Sequence, residues 1–147
     1  MLLLGRSGLI DVGEIAVLNA NYCRIRLKDH YAIAYDKVCM HECVFSASEQ
    51  NKSGVHALDI AKYLIDKGFH PPTIYFPLIV KEALMIEPTE TESKQTLDEF
   101  IDVMIEIAQL AKTNPEAIKN APLTMPVKRL DETKAAREPN LRWIEQE

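Results

Sequence analysis

The stretch Ala83-Leu84-Met85-Ile86-Glu87-Pro88-Thr89-Glu90-Thr91-Glu92, with the patterned run that follows it to Lys112, decides the fold of this chain. Ala83 to Glu87 is a short apolar run of the kind a buried strand needs, and Pro88 closes it because proline has no N–H to offer a ladder. Thr89 and Glu92 stand at capping-box spacing, which predicts a helix start, with Glu90 and Glu92 where the helix dipole favours negative charge. Beyond them Leu97, Phe100, Ile101, Met104, Ile107, Ala108 and Ala111 recur at helical period, opposite Asp98, Glu99, Asp102 and Glu106. So broad an apolar stripe must be buried against another element.

Upstream, Val55 to Lys67 reads as a second helix, with Ser53 as the candidate cap and Leu58, Ala61, Leu64 and Ile65 as the expected inward face. Gly68 supplies a left-handed stop and Phe69 the hydrophobic contact that folds back on it. Met40 to Ala47 suits a strand. Gly8 to Asp29 is a long first helix whose apolar positions are Leu9, Val12, Ile15, Ala16, Leu18, Tyr22 and Ile25. Pro71, Pro72 and Pro77 limit Thr73 to Phe76 to an edge or terminal strand. Downstream, Thr113-Asn114-Pro115-Glu116 and Asp131-Glu132 each predict a short helix by the cap-then-helix rule.

The resulting order, helix, strand, helix, strand, helix, predicts an α/β fold in the form of an α+β two-layer sandwich. Residues 1–120 are expected to form the domain. Residues 121–147, rich in proline and charge, are expected to form an extension that packs on it or on a partner, with Leu130, Leu141 and Trp143 as its few anchors. Helices are predicted for one sheet face alone, which suggests that the other face meets a larger body.

With 147 residues, 47% hydrophobic, 27% charged and only 5 Gly and 8 Pro, disordered and fibrous classes are excluded. The balance of 17 basic and 22 acidic residues, a formal charge of -5, gives no general attraction to nucleic acid or to anionic lipid. The opening Met1-Leu2-Leu3-Leu4 run stops at Gly5-Arg6, well short of the about 7 apolar residues of a signal core or the about 18 of a membrane span. Three cysteines, Cys23, Cys39 and Cys43, are then expected as free thiols in a reducing cytoplasm.

Cys39, His41 and Cys43 alternate along the predicted strand and so share one face. A zinc site is disfavoured there, because a fourth ligand is missing and alternate positions on a strand splay by roughly 7 Å. A catalytic thiolate would need an electropositive setting that the neighbouring residues do not supply. Gly68-Phe69-His70-Pro71-Pro72-Thr73 holds His70 and Thr73 on a stiffened backbone, as a stiff connector or as part of a binding site. Glu87-Pro88-Thr89-Glu90 is either a strand end with a helix cap or a polar cluster presented to a ligand. Glycine-rich phosphate loops, the nucleophile elbow and the two-histidine zinc motif are all missing from the sequence.

His41-Glu42, Leu58-Asp59-Ile60-Ala61-Lys62, Gly68 to Thr73 and Leu84 to Glu92, with Val17 to Tyr22 and the late Ala121-Pro122 to Glu132, closely resemble one family in order along the chain. That family is glycine dehydrogenase (decarboxylating), the P-protein of the glycine cleavage system, in its C-terminal part and in the form of subunit 2 where the enzyme is divided. The resemblance implies the small C-terminal domain of a fold type I, aminotransferase-like enzyme that uses pyridoxal phosphate. It implies decarboxylation of glycine and transfer of the aminomethyl group to the lipoyl arm of the H-protein, with the large domain and subunit 1 as further partners. Nothing here resembles the family's cofactor lysine, so no catalytic residue is assigned to this chain, which is expected to be inert alone. His41, Glu42, His70, Thr73, Glu87, Thr89 and Glu90 match family positions and are candidates for the substrate and lipoyl-arm channel. Cys43 stands where the family has a large apolar residue. The alternative is a stand-alone α/β binding module without catalysis.

Overall fold

The computed structural model describes residues 2–143. Along the chain run α1 (Gly5–Leu27), β1 (Ala32–Ile33), β2 (Cys43–Ser46), α2 (Ser48–Asn51), α3 (Ala57–Asp66), β3 (Thr73–Ile74), β4 (Ala83–Ile86), α4 (Lys94–Thr113), α5 (Pro115–Lys119) and α6 (Glu132–Arg137). The strands form one antiparallel sheet in the order β1-β2-β4-β3. The mixed α/β class is as expected. The short β1 and α2 went unpredicted, because two and four residues carry no readable period.

Pairing of β2 with β4 sets Cys43 opposite Ile86 and Phe45 opposite Leu84. Strand alternation sends these four side chains to one face, and all are buried there. Against them α4 buries Leu97, Ile101, Met104, Ile107, Ala108 and Ala111, six of the seven stripe positions, with Phe100 half-buried at the edge. At about 1.5–3 kcal/mol for each large apolar side chain fully removed from water, this contact dominates the fold's stability. Val44 and Met85, paired on the opposite face, stay half-buried and outside the core cluster.

Three helix starts differ from expectation. In α4 the cap is Ser93, whose hydroxyl accepts from the Thr96 amide at 3.0 Å. Thr89 does not cap: its hydroxyl pairs with that of Thr91 at 2.7 Å, and its carbonyl accepts from the Asn19 side chain at 2.9 Å. In α3 the cap is His56 rather than Ser53, whose hydroxyl instead donates to the Gln50 carbonyl. Asp59 answers by accepting from the His56 amide at 2.8 Å. The buried face of α3 is Ala57, Asp59, Ile60, Ala61 and Leu64, while Leu58 and Ile65, read as inward, are half-buried. The Gly68 stop is as read: φ is 85°, and Phe69 donates back to the Leu64 carbonyl and packs edge-on against Phe100 at 5.7 Å.

Two left-handed residues close the N-terminus of α3 from the β3–β4 connection. Tyr75 (φ 59°) and Glu82 (φ 51°) both sit where a side chain is strained. Glu82 accepts from the Ala57 amide at 2.8 Å and meets His56 Nδ1 at 3.0 Å. Partial burial opposes the ionised Glu82, but the Ala57 amide and His56 outweigh it and hold its carboxyl below the usual glutamate range.

In α1 the buried residues are Asn19, Ala20, Cys23 and Leu27. Leu9, Ile15, Leu18 and Ile25, read as inward, are exposed, because the helix meets α4 and β2 through its smaller side chains and only over its second half. The extension is held by two aspartates of α3. Asp59 binds Arg129 at 2.6 Å, and Asp66 accepts from the amides of Leu123 and Thr124. Leu130, Leu141 and Trp143 are exposed and anchor nothing within the described residues. Both later short helices form as read, capped by Asn114 ahead of Pro115 and by Asp131, which accepts from Lys134 at 2.9 Å.

Met104→Ala is expected to cost about 2–5 kcal/mol, as a large-to-small change in a closed core, read as a lowered denaturant midpoint at unchanged slope. Glu82→Gln is expected to cost about 1 kcal/mol at neutral pH through loss of the charge at the α3 N-terminus. A carboxyl held below its unfolded value stabilises where it is ionised. Its contribution in the native chain is therefore full above the ordinary 4.5 and lost as pH falls through the lower folded value. Unfolding curves over that range should be flatter for the variant.

Candidate functional site

A cleft of about 450 Å³ opens where the Gly68–Thr73 connector, the end of β4 and the first turns of α4 meet. Its floor is apolar, formed by Phe69, Met85, Ile86, Leu97 and Phe100, and Pro71, Pro72 and Pro88 stiffen its walls. The stiffness has a local cause. Gly68 ends α3, two prolines then hold φ near −65°, and Thr73 enters the edge strand opposite Met85.

Four of the seven candidate residues converge in this cleft: His70, Thr73, Glu87 and Thr89. His41 and Glu42 stand outside its lining and join it through Glu87. Continuing the β2–β4 register one step past the ladder sets Glu42 opposite Glu87, and His41 Nε2 lies 3.9 Å from a carboxylate oxygen of each. Glu90 does not line the cleft. Sequence reasoning missed Glu92 and Thr96 as lining residues, and it missed Asn19, whose buried amide holds the Thr89 carbonyl in place. Asn21 likewise clamps both peptide groups of Cys39, donating to its carbonyl at 2.7 Å and accepting from its amide at 3.1 Å. The available signal was two asparagines in the middle of a helix, where that residue is a poor helix former and needs a tertiary partner.

The strand assumed for Met40 to Ala47 begins only at Cys43, so Cys39, His41 and Cys43 do not share a face. Cys43 points into the core, Cys39 is half-buried against Asn21, and His41 is exposed. Desolvation drives the Cys43 thiol far upward and pushes Cys23 up to about 12, so neither supplies a thiolate near neutral pH. The metal-ligand cluster among the described residues is His41, Glu42 and Glu87, with ligand atoms within 4.8 Å of one another. Bonds of about 2.1 Å in a tetrahedron set ligand atoms roughly 3.4 Å apart, so the trio would have to contract to close on an ion.

The cleft carries Glu87 and Glu92, one histidine and neither lysine nor arginine among its lining residues. Such a wall suits an amine or a hydrogen-bond donor and repels a phosphate. Pyridoxal phosphate needs a lysine amine and a cradle for its phosphate. The donor set of this cleft does not fit that group. The cleft's contribution is an acid-rimmed, apolar-floored wall.

Residues 12–126 match the family model described as glycine dehydrogenase, C-terminal domain. The chain is 58% identical over 143 residues to a probable glycine dehydrogenase (decarboxylating) subunit 2 from Caldanaerobacter subterraneus subsp. tengcongensis, covering 97% of this chain and 30% of that protein. Proteins of the same description from Listeria innocua and Staphylococcus saprophyticus are each 59% identical over 140 residues, 95% of this chain and 29% and 28% of theirs. The chain thus spans about 30% of the length of the curated relatives it matches. No described helix is long and apolar enough to cross a membrane. Matched by that family model over most of its length, the chain belongs to the glycine dehydrogenase C-terminal domain family.

Proposed function

We propose that this chain is the small C-terminal domain of a cytoplasmic glycine dehydrogenase (decarboxylating) of fold type I and supplies one wall of its active site. The reaction is decarboxylation of glycine on pyridoxal phosphate, with transfer of the aminomethyl group to the lipoyl arm of the H-protein. The cofactor and its lysine belong to the large domain, and subunit 1 completes the assembly. Residues 1–120 form the body and 121–147 the extension.

The observation that carries this reading is the gathering of His70, Thr73, Glu87 and Thr89 in one cleft within a chain of this family. On this reading His70 and Thr73 present polar atoms to the substrate from a rigid backbone, while Glu87, beside His41 and Glu42, sets a negative rim. Thr89 borders the passage of the lipoyl arm, whose aliphatic stem suits the Phe69, Leu97 and Phe100 floor, and Glu90 stands next to it outside that lining. An acidic rim without a cationic counterpart favours an amino group over a carboxylate, so recognition of the glycine carboxylate falls to the remainder of the enzyme.

The test is release of labelled carbon dioxide from glycine in the presence of pyridoxal phosphate, subunit 1 and lipoylated H-protein. This chain alone is expected to give background release. Supplying the remaining part of a subunit 2 in trans is expected to restore release, and His70→Ala is expected to raise the KM for glycine of the restored mixture about tenfold, the loss of one polar contact. Release by the chain alone would refute its inertness, and failure of every reassembled mixture would refute the functional reading.

A further inference from the structure

Between the end of β4 and the cap of α4 the chain runs through Pro88 to Glu92, and Pro88, Thr89 and Glu92 of this segment line the cleft. Pro88 is buried, whereas Thr89, Thr91 and Glu92 are exposed, so packing does not hold them. Their mutual hydrogen bonds are local: the Glu92 amide donates to the Thr89 carbonyl at 3.3 Å, and the Thr89 and Thr91 hydroxyls pair at 2.7 Å. Pro88 has no N–H to donate. Among the described residues, one hydrogen bond ties this segment to another element. It comes from Asn19 of α1, whose Nδ2 donates to the Thr89 carbonyl at 2.9 Å.

Asn19 is 8% exposed and lies in the second half of α1, where asparagine is a poor helix former. Burying an amide is unfavourable unless it is hydrogen-bonded, so the buried Asn19 side chain and the exposed Thr89 peptide hold each other in register. Asn19 stands outside the cleft lining. The opposite wall does not depend on it, because His70 and Thr73 are held by the Gly68 stop and by Pro71 and Pro72. The floor does not depend on it either, since Leu97 is fixed by the burial of the α4 stripe.

We infer that Asn19 is a positioning residue for transfer to the lipoyl arm: by holding the Thr89 carbonyl it fixes the Thr89–Glu92 wall of the passage without touching either substrate. This rests on the functional reading above and adds the residue that sets this wall. Its loss therefore separates the two substrates, because glycine meets the His70 and Thr73 wall and the lipoyl arm meets the Thr89 wall.

The experiment uses the reassembled mixture of this chain, the remaining part of a subunit 2, subunit 1 and pyridoxal phosphate. It follows release of labelled carbon dioxide while glycine and lipoylated H-protein are varied in turn. Asn19→Ala, and Asn19→Asp, which keeps the shape and loses the donor, are each expected to raise the KM for lipoylated H-protein about tenfold, the loss of one hydrogen bond, with the KM for glycine unchanged. A merely structural role would lower the amount of active protein, and with it the maximal rate, and would move neither KM. Met104→Ala, which disturbs the core, serves as the control for that outcome. In NMR spectra of this chain alone, the amide nitrogen of Glu90, which shares the Thr89 peptide group, should shift in both Asn19 variants, while those of Phe45 and Leu84 stay in place. An unmoved Glu90 resonance, an unchanged KM for H-protein, or an equal rise in both KM values would overturn the inference and leave the functional reading intact. Absence of release by the wild-type mixture would overturn both.

Discussion

Everything in this domain depends on the burial of one helix stripe against two strands. Phe45 and Leu84 face each other across the β2–β4 ladder, and Ile101 and Met104 of α4 close over them without residual exposure. This contact decides the register, because a slip of one residue would send Cys43, Phe45, Leu84 and Ile86 to the opposite face. It also decides where α4 begins, and through that where Thr96, Leu97 and Phe100 meet the Gly68–Thr73 connector. The cleft is therefore a by-product of core packing: its floor is the end of the same stripe that holds the sheet.

Polar side chains then lock the segments that hydrophobic burial leaves free. Asn19 and Asn21, on one helix, fix the Thr89 turn and the Cys39 peptide by amide hydrogen bonds that no exposed alternative would match. Glu82 and Tyr75 reach back from a strained connection to the open end of α3, while Asp59 and Asp66 hold the extension along the same helix. A buried or half-buried amide that loses its partner costs about 1–3 kcal/mol. These contacts therefore specify loop positions even though each contributes little to total stability.

The domain's core closes without help, yet its cleft offers carboxylates and a histidine on one wall and no cation to hold a phosphate. On α1, Ile15, Leu18 and Ile25 remain exposed, whereas Tyr22 packs against the core.

Much of this was legible along the chain. The α4 stripe, the Gly68 stop, the Asn114-Pro115 and Asp131 helix starts and the edge character of Thr73 follow from period, proline and glycine, which act within a few residues. The run from Gly68 to Glu92 likewise carried part of the family resemblance and the four candidate residues that line the cleft. What local pattern could not decide was which of two apolar arcs of α1 faces inward, whether Ser93 or Thr89 caps α4, and that Cys43 points into the core while His41 joins Glu42 and Glu87. Each of these turns on a partner distant in sequence: α4 and β2 packing on α1, Asn19 claiming the Thr89 carbonyl, Ile86 pairing with Cys43. Periodicity states that a face is apolar, and only the packed chain determines what that face meets.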